Sequence, residues 1–401
     1  DNKTPIIIDG NSENIGKTEE TWDETSVTID QKELDKKLET AKENGSLLVP
    51  LADNRENASA KLLLKNIEDL AAKNSTLTLR RGETDYIMPA TALDTRALMA
   101  ELGATDPALV PLTISISRPR ETVDVSGSEV LAPPISFTFS ASYGGKTIEV
   151  SSFERFVSRC VEISETQAKR ITTAIVFEED GTYRHVPTNV FKKGDAWFAN
   201  ISSLTNSKYV LIFNEKKFAD TQGKWYEAAV REMADRKIIA GVDEQIFAGD
   251  RSVSRAEFAA LAVRALGLPA EGRAEFSDVP AGAWYSGAVA VAAKYGIVSG
   301  VGGGLFLPEA SISRQEAMSM LQRAAKLAEF TQTPPVDMSF TDMDKVSDWA
   351  RSAVEFNLGN HLIVGDGGKI RPQDEITRGE TACVLLRLLQ KAKLIDPRTE
   401  I

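Results

Sequence analysis

A four-residue pattern that returns three times constrains the fold of this chain more than any other feature. Its copies are Ser254-Arg255-Ala256-Glu257, Ser313-Arg314-Gln315-Glu316 and Thr377-Arg378-Gly379-Glu380. Ser or Thr followed three residues later by Glu is a capping box, in which the two side chains bind backbone amides at the start of a helix. Each copy precedes a run of helical periodicity, so the pattern predicts three helices that begin at these positions.

Each tetrapeptide belongs to a longer repeated unit. Upstream stand the Phe-x-Asp triplets that end at Asp220, Asp278 and Asp342, each followed by a tryptophan. The distances from tryptophan to arginine are 30, 30 and 29 residues, which indicates an internal repeat of two helices joined by a glycine-containing turn. One helix pair cannot bury its apolar face alone, so the three copies are expected to pack against one another.

The arginine at the second position of each tetrapeptide has no local structural explanation. Near a helix N-terminus its cation faces the positive end of the helix dipole, which is unfavourable by a few tenths of a kcal/mol. An anion bound there would reverse the sign, since the guanidinium and the free amides of the first turn both donate hydrogen bonds. We therefore expect these arginines to bind an anion, and their replacement by alanine to leave stability unchanged or slightly raised.

The order Phe-x-Asp, Trp, glycine turn, Phe or Ile and Ser/Thr-Arg-x-Glu resembles the S-layer homology domain of bacterial surface proteins. Its three copies cover residues 216–272, 273–334 and 335–396. The resemblance implies an all-α arrangement that closes with pseudo-threefold symmetry and binds pyruvylated secondary cell-wall polysaccharide, the arginines holding the ketal-pyruvate carboxylate. It also implies an extracellular place in the surface layer of a Gram-positive cell wall. Ala248-Gly249-Asp250 stands where the second repeat has Leu307-Pro308-Glu309, so the three sites are expected to be unequal.

The predicted glycan-binding residues recur at matching positions of the repeats. They are Arg255, Arg314, Arg378, Asp220, Asp278, Asp342, Trp225, Trp284, Trp349, Gly241, Gly300 and Gly365. A structural role stands beside each prediction: a surface ion pair for arginine, core packing for tryptophan and an N-cap of the tryptophan-bearing helix for aspartate. For the glycines it is a turn with positive φ that leaves their amides open to a ligand.

Composition excludes several functional classes. The net charge of −11 comes from 47 basic and 58 acidic residues, with −9 in residues 1–215 and −2 in the remainder, and no basic tract for nucleic acid occurs. Two histidines and two cysteines leave little material for a metal site or a catalytic relay, so no catalytic residue, metal or cofactor is predicted. No apolar run reaches membrane-spanning length, and the polar start without a signal peptide indicates a mature protein or an excised fragment.

Residues 1–215 follow other patterns. Residues 1–22 are polar and predict a linker, residues 23–110 predict an α+β region, and residues 111–215 predict a β-rich, sandwich-like domain with a hairpin turn at Asp180-Gly181. No recognisable pair of carboxylates occurs there, so we predict a surface protein rather than an enzyme, with these acidic domains contacting neighbouring surface-layer subunits. The alternative is a wall-anchored glycan-degrading enzyme with its activity in residues 1–215 or in sequence before residue 1.

Overall fold

The computed structural model describes residues 3–178, 180–336 and 339–398. They fall into two compact units, one of Asp1–Tyr183 with Val190–Ile212 and one of Arg184–Asn189 with Phe213–Ile401. Strands dominate the first unit and helices the second, so the fold is mixed, with its repeats in the helical part.

Seventeen strands occur in the described residues and form a seventeen-stranded sheet. They are β1 (Lys3–Ile8), β2 (Asn11–Glu20), β3 (Glu24–Ile29), β4 (Ser46–Leu51), β5 (Asn57–Leu63), β6 (Thr76–Arg81), β7 (Thr84–Pro89), β8 (Pro111–Ser117), β9 (Glu129–Val130), β10 (Ile135–Tyr143), β11 (Lys146–Glu149), β12 (Ser152–Ile163), β13 (Thr173–Phe177), β14 (Tyr183–Val186), β15 (Thr188–Lys193), β16 (Ala196–Thr205) and β17 (Lys208–Phe213).

Ten α-helices lie in the same described residues. They are α1 (Gln31–Glu39), α2 (Leu64–Ala72), α3 (Thr95–Leu102), α4 (Glu165–Ala168), α5 (Glu227–Asp235), α6 (Arg255–Ala265), α7 (Ser286–Lys294), α8 (Arg314–Leu327), α9 (Arg351–Gly359) and α10 (Arg378–Lys391). None of them is long and apolar enough to cross a membrane.

The first unit combines parallel and antiparallel strand pairs. Strand β3 pairs in parallel with β5, and β4 with β6. Parallel neighbours cannot be joined by a tight hairpin, and α1 and α2 lie in the connecting segments. Both helices bury an apolar stripe, with Leu34 and Leu38 on α1 and Ile67 and Leu70 on α2.

Two expectations for residues 1–215 are wrong. The predicted linker over residues 1–22 contains the hairpin of β1 and β2, because Ile6 and Ile8 are buried while the polar residues of β2 lie mostly towards solvent. The predicted boundary at residue 110 is crossed by two strand pairs, β5 with β8 and β7 with β12. Periodicity reports which face of a strand is buried and not which strand lies beside it, so it could not reveal these pairings.

The second unit packs its repeats in cyclic order. The second helix of each repeat contacts the first helix of the next one, α6 with α7, α8 with α9 and α10 with α5, and α6, α8 and α10 contact each other. A backbone cycle runs through the segments before them. The amide of Val253 donates to the carbonyl of Ile376 at 3.1 Å, that of Ile376 to Ile312 at 3.1 Å, and that of Ile312 to Val253 at 3.0 Å.

Residues 184–189 pack within the second unit against the end of α6. Gly267 follows that helix with φ +66°, and a Cβ on it would stand 2.8 Å from Cδ of Pro187. His185 in this segment is buried, and burial, together with the charge of Arg236, lowers its pKa to about 3. The imidazole is therefore neutral in the folded protein near pH 7.

We expect the second unit to lose stability with acid in a way that depends on His185. Its folded pKa lies below the unfolded one, so the stabilisation is complete above about pH 6.5 and is lost at roughly 1.4 kcal/mol per unit as pH falls toward 3. His185→Gln stays neutral, and its loss of unfolding free energy between pH 7 and 4.5 should be smaller by about 2–3 kcal/mol. Urea unfolding of both proteins at the two pH values measures this difference, and equal losses would contradict it.

Candidate functional site

Each of the three repeat arginines extends from its own repeat onto the next one. In every case Nε donates to a backbone carbonyl of that next repeat. The pairs are Arg255 with Phe306, Arg314 with Ile370 and Arg378 with Phe247, at 2.8, 2.8 and 2.9 Å. The contacts divide the cycle into a first junction (Arg255 on the second repeat), a second junction (Arg314 on the third) and a third junction (Arg378 on the first).

Arg255 and Arg314 are also paired with carboxylates of the next repeat. Nη1 of Arg255 lies 2.9 Å from Oε1 of Glu316, and Nη1 of Arg314 bonds to Oε1 of Glu380. Both arginines are only 5% exposed. The ion pairs are therefore buried rather than on the surface, and their bonds fasten consecutive repeats together.

The first-turn amides of the capped helices already have partners. The amide of Arg255 donates to the carbonyl of Ala310 and that of Ala256 to Pro308, while the Ser254 hydroxyl accepts from Glu257. The first turns of α8 and α10 show the same pattern, with carbonyls of the following repeat as acceptors. The predicted capping boxes are confirmed at all three helices, but the expected anion site on free helix amides is wrong because the repeat junctions use those amides.

The three aspartates fix the turn that precedes each junction. Asp220 accepts the amides of Phe247 and Ala248 at 2.8 and 2.7 Å, one on each carboxylate oxygen. Asp278 and Asp342 bind the corresponding pairs of amides in their own repeats. The second residue of each pair has positive φ, as in Ala248 at 57°. The carboxylate thus stabilises a backbone conformation that residues other than glycine rarely adopt.

These aspartates do not cap the tryptophan-bearing helices. The N-cap positions are Tyr226, Tyr285 and Ala350, without a side-chain hydrogen bond. Burial opposes ionisation of Asp278, but its two amide bonds prevail and lower its pKa. The N-cap expectation is wrong, and the two bound amides give each aspartate a structural role at the turn.

The glycines are required for close packing rather than for positive φ. The backbone of Gly241, Gly300 and Gly365 is not left-handed, so the expectation of turns with positive φ at these glycines is wrong. A Cβ on Gly365 would stand 2.2 Å from Cε1 of Phe340, and one on Gly241 would stand 2.6 Å from Cε1 of Phe218. The phenylalanine of each Phe-x-Asp triplet thus lies where a larger residue at the glycine would collide with it.

The tryptophans are exposed and do not form the core. The exposed fractions of Trp225, Trp284 and Trp349 are 63%, 64% and 61%. Trp225 and Trp284 contact the tyrosine that follows each of them edge to face. Because these indoles are mostly exposed, they do not have the core-packing role of the alternative. Three aromatic surfaces at equivalent places are therefore available to a ligand.

The candidate site therefore contains residues of two repeats. Nη2 of Arg255 donates to the carbonyl of Ser299, the neighbour of Gly300, and Nη2 of Arg378 donates to that of Ala240, the neighbour of Gly241. Each of these arginines thus lies on the glycine turn of the next repeat. The sequence does not reveal which glycine turn each arginine approaches, and only the cyclic packing shows that it belongs to the next repeat.

Comparison with known families identifies the repeats. The model of the S-layer homology domain matches residues 217–259, 275–318 and 339–382. These repeats are S-layer homology domains. The matched segments contain, in each repeat, the aspartate that binds two backbone amides, the exposed tryptophan and the arginine at the start of the capped helix.

Curated relatives share the S-layer homology region. The surface-layer 125 kDa protein of Lysinibacillus sphaericus is 34% identical over 185 residues, 43% of this chain and 15% of its own length. The amylopullulanase of Thermoanaerobacterium thermosulfurigenes is 31% identical over 46% of this chain and 10% of its own length. The exoglucanase XynX of Acetivibrio thermocellus is 30% identical over 54% of this chain and 20% of its own length. The chain thus spans a fifth or less of these relatives, and together with the repeats they indicate a cell-surface protein associated with the cell wall.

Proposed function

We propose that the three S-layer homology domains hold a surface protein to the cell wall without a covalent bond, by binding pyruvylated secondary cell-wall polysaccharide. The observation that carries the proposal is the set of three solvent-exposed tryptophans, two of which lie in repeats whose glycine turn is contacted by an arginine of the preceding repeat. Sugar rings stack on exposed aromatic faces, and a guanidinium binds a carboxylate such as ketal pyruvate through paired hydrogen bonds. No chemical reaction is involved.

Binding to purified walls tests the anchoring. The protein should sediment with walls that carry ketal pyruvate and remain in solution after its removal by mild acid. Walls re-pyruvylated or never treated serve as the positive control. Equal binding to both kinds of wall would contradict a carboxylate ligand.

We expect the tryptophans to contribute to binding without stabilising the fold. Changing Trp225, Trp284 and Trp349 to alanine together should weaken wall binding strongly, since the loss of one exposed aromatic contact costs on the order of 1–2 kcal/mol, roughly five- to thirtyfold in affinity. Their exposure predicts nearly unchanged thermal melting. Trp22→Ala is a matched control, because Trp22 is 87% exposed in the first unit. An equal loss of binding in this control would show that the effect is unspecific.

The alternative function is a wall-anchored, glycan-degrading enzyme. The amylopullulanase and exoglucanase relatives favour it by name, but they share the repeats with this chain and cover only about half of it. In the first unit the carboxyl groups of Glu83 and Glu162 share a hydrogen bond, which raises the pKa of Glu162. The two carboxyl groups of glycosidases stand about 5–9.5 Å apart, so this directly bonded pair lacks the required separation.

The space beside Glu162 is also unlike a sugar site. A cavity of about 50 Å³ there is lined mainly by apolar side chains, among them Phe137, Ile201 and Leu211. It has room for a few water molecules only. We expect no release of reducing sugar when the full chain is incubated with wall polysaccharide, and release abolished by Glu162→Gln would favour the enzyme.

A further inference from the structure

The third junction differs from the other two in the partner of its glutamate. Glu316 binds Arg255 and Glu380 binds Arg314, but the equivalent Glu257 is bound by Arg251 of its own repeat. Arg251 occupies the position held by Ala310 in the second repeat and by Asp374 in the third. The arginine at position 251 thus binds Glu257, the carboxylate that would otherwise correspond to the partner of Arg378.

Arg378 consequently keeps part of its guanidinium open. Nε and Nη2 donate to the carbonyls of Phe247 and Ala240, and Cζ lies 4.6 Å from the centre of the Phe247 ring. Among the residues that the structure describes, none forms a hydrogen bond or ion pair with Nη1. Arg378 is half-buried, whereas Arg255 and Arg314 are almost fully buried. A carboxylate that approaches from solvent can therefore reach Arg378 without displacing a protein partner.

The local charge also favours an anion at the third junction. The groups that act most strongly on Arg255 are two carboxylates and one arginine, and the same holds for Arg314. Arg378 instead has two arginines, Arg251 and Arg264, beside the carboxylates of Glu257 and Asp220. Among these groups, one more arginine acts on Arg378 than on Arg255 or Arg314. Both oxygens of Asp220 already accept backbone amides, which further reduces the competition for Arg378.

A buried tyrosine connects the first turn of α10 to an exposed tryptophan. A Cβ on Gly379, the residue after Arg378, would stand 2.5 Å from Cδ1 of Tyr226, so the tyrosine ring packs directly on the first turn of α10. The Trp225 ring centre lies 5.3 Å from that of Tyr226. The third junction thus has an open guanidinium, and the tyrosine that packs beside it is preceded in sequence by a solvent-exposed indole, an arrangement that suits a sugar carrying a carboxylate.

We propose that the third junction is the principal site for the carboxylate-bearing wall sugar, and that Arg251 makes it so by holding Glu257 away from Arg378. This inference rests on the proposed function and specifies which of the three junctions performs it. Arg378 contacts the ligand, whereas Arg251 is a positioning residue that acts through Glu257. The first and second junctions, whose arginines are paired and buried, serve mainly to close the ring of repeats.

Calorimetric titration of a pyruvylated monosaccharide into the full chain tests the proposal, with the unpyruvylated sugar as the reference. We expect about one occupied site in the wild type. Arg378→Ala should weaken binding about ten- to a hundredfold. Arg251→Ala should weaken it roughly three- to tenfold, because Glu257 becomes available to pair with Arg378. Arg231→Ala is the charge-matched control and should bind like the wild type. It removes an exposed arginine that lies in the first repeat, as Arg251 does, and pairs with Glu215.

A gain of binding gives an independent test. Ala310 is exposed and corresponds to Arg251, so Ala310→Arg should draw Glu316 away from Arg255 and add a second occupied site. Thermal melts verify folding, and Arg378→Lys replaces Arg378→Ala if the latter unfolds. Three equal sites in the wild type, or Arg251→Ala binding like Arg231→Ala, would overturn this inference alone. Absence of binding by the wild type would overturn the proposed function together with it.

Discussion

Replacing Arg314 by alanine is expected to lower the free energy of unfolding of the repeat unit by about 3 kcal/mol or more. The guanidinium is buried between the second and third repeats and binds the carbonyl of Ile370 and the carboxylate of Glu380. Removing one partner of a buried pair leaves the other without its full set of bonds, which typically costs 3–5 kcal/mol. Glu380 retains the amide of Thr377 and a contact with Arg371, which places the expected value near the lower end of that range.

Arg255→Ala should act similarly, because Arg255 has the same burial and the same kind of glutamate partner. Arg231→Ala is the control, since its exposed pair with Glu215 predicts a change within about 0.5 kcal/mol. Chemical unfolding followed by circular dichroism gives the three values. If Arg314→Ala were as stable as the control, the arginine would not fasten the repeats, and the prediction from sequence that its replacement leaves stability unchanged would hold.

Removal of the third repeat is expected to abolish cooperative folding of the other two. A chain that ends at Glu329 lacks α9 and α10 and therefore loses the contacts of α10 with α5, α6 and α8. It also breaks the backbone cycle, because Val253 donates to Ile376 and Ile376 donates to Ile312. Net stabilities of domains are only about 5–15 kcal/mol, so the loss of two of three junctions should exceed what the remaining one can supply.

Differential scanning calorimetry measures this directly. The shortened chain should retain the transition of the first unit and lack the transition of the repeats. A chain that ends at Arg398 serves as the control for truncation and should melt like the whole protein. A shortened chain that melts as cooperatively and at the same temperature would mean that the repeats fold without closing.

The glycines illustrate why some roles could not be predicted from sequence. A glycine between two helices most simply indicates a turn residue with positive φ. Gly365 does not have positive φ, and glycine is required there because Phe340 lies where a Cβ would stand. The aspartates are similar. A carboxylate before a helix predicts an N-cap, whereas Asp342 binds the amides of Ile370 and Arg371, some thirty residues further along the chain. Local rules describe neighbours in sequence, and these contacts join residues that only tertiary folding brings together.

The sequence alone determined what repetition and short-range chemistry control: the number of repeats, the start of the three capped helices and the resemblance that the family match confirms. These follow from patterns within a few residues, where backbone geometry and capping dominate. Only the tertiary structure decided that Arg255 and Arg314 are buried between repeats while Arg378 stays partly open, and that the tryptophans face solvent. The physical reason is that burial and ion pairing depend on which repeat lies opposite, and nearly identical tetrapeptides acquire different partners when the cycle closes.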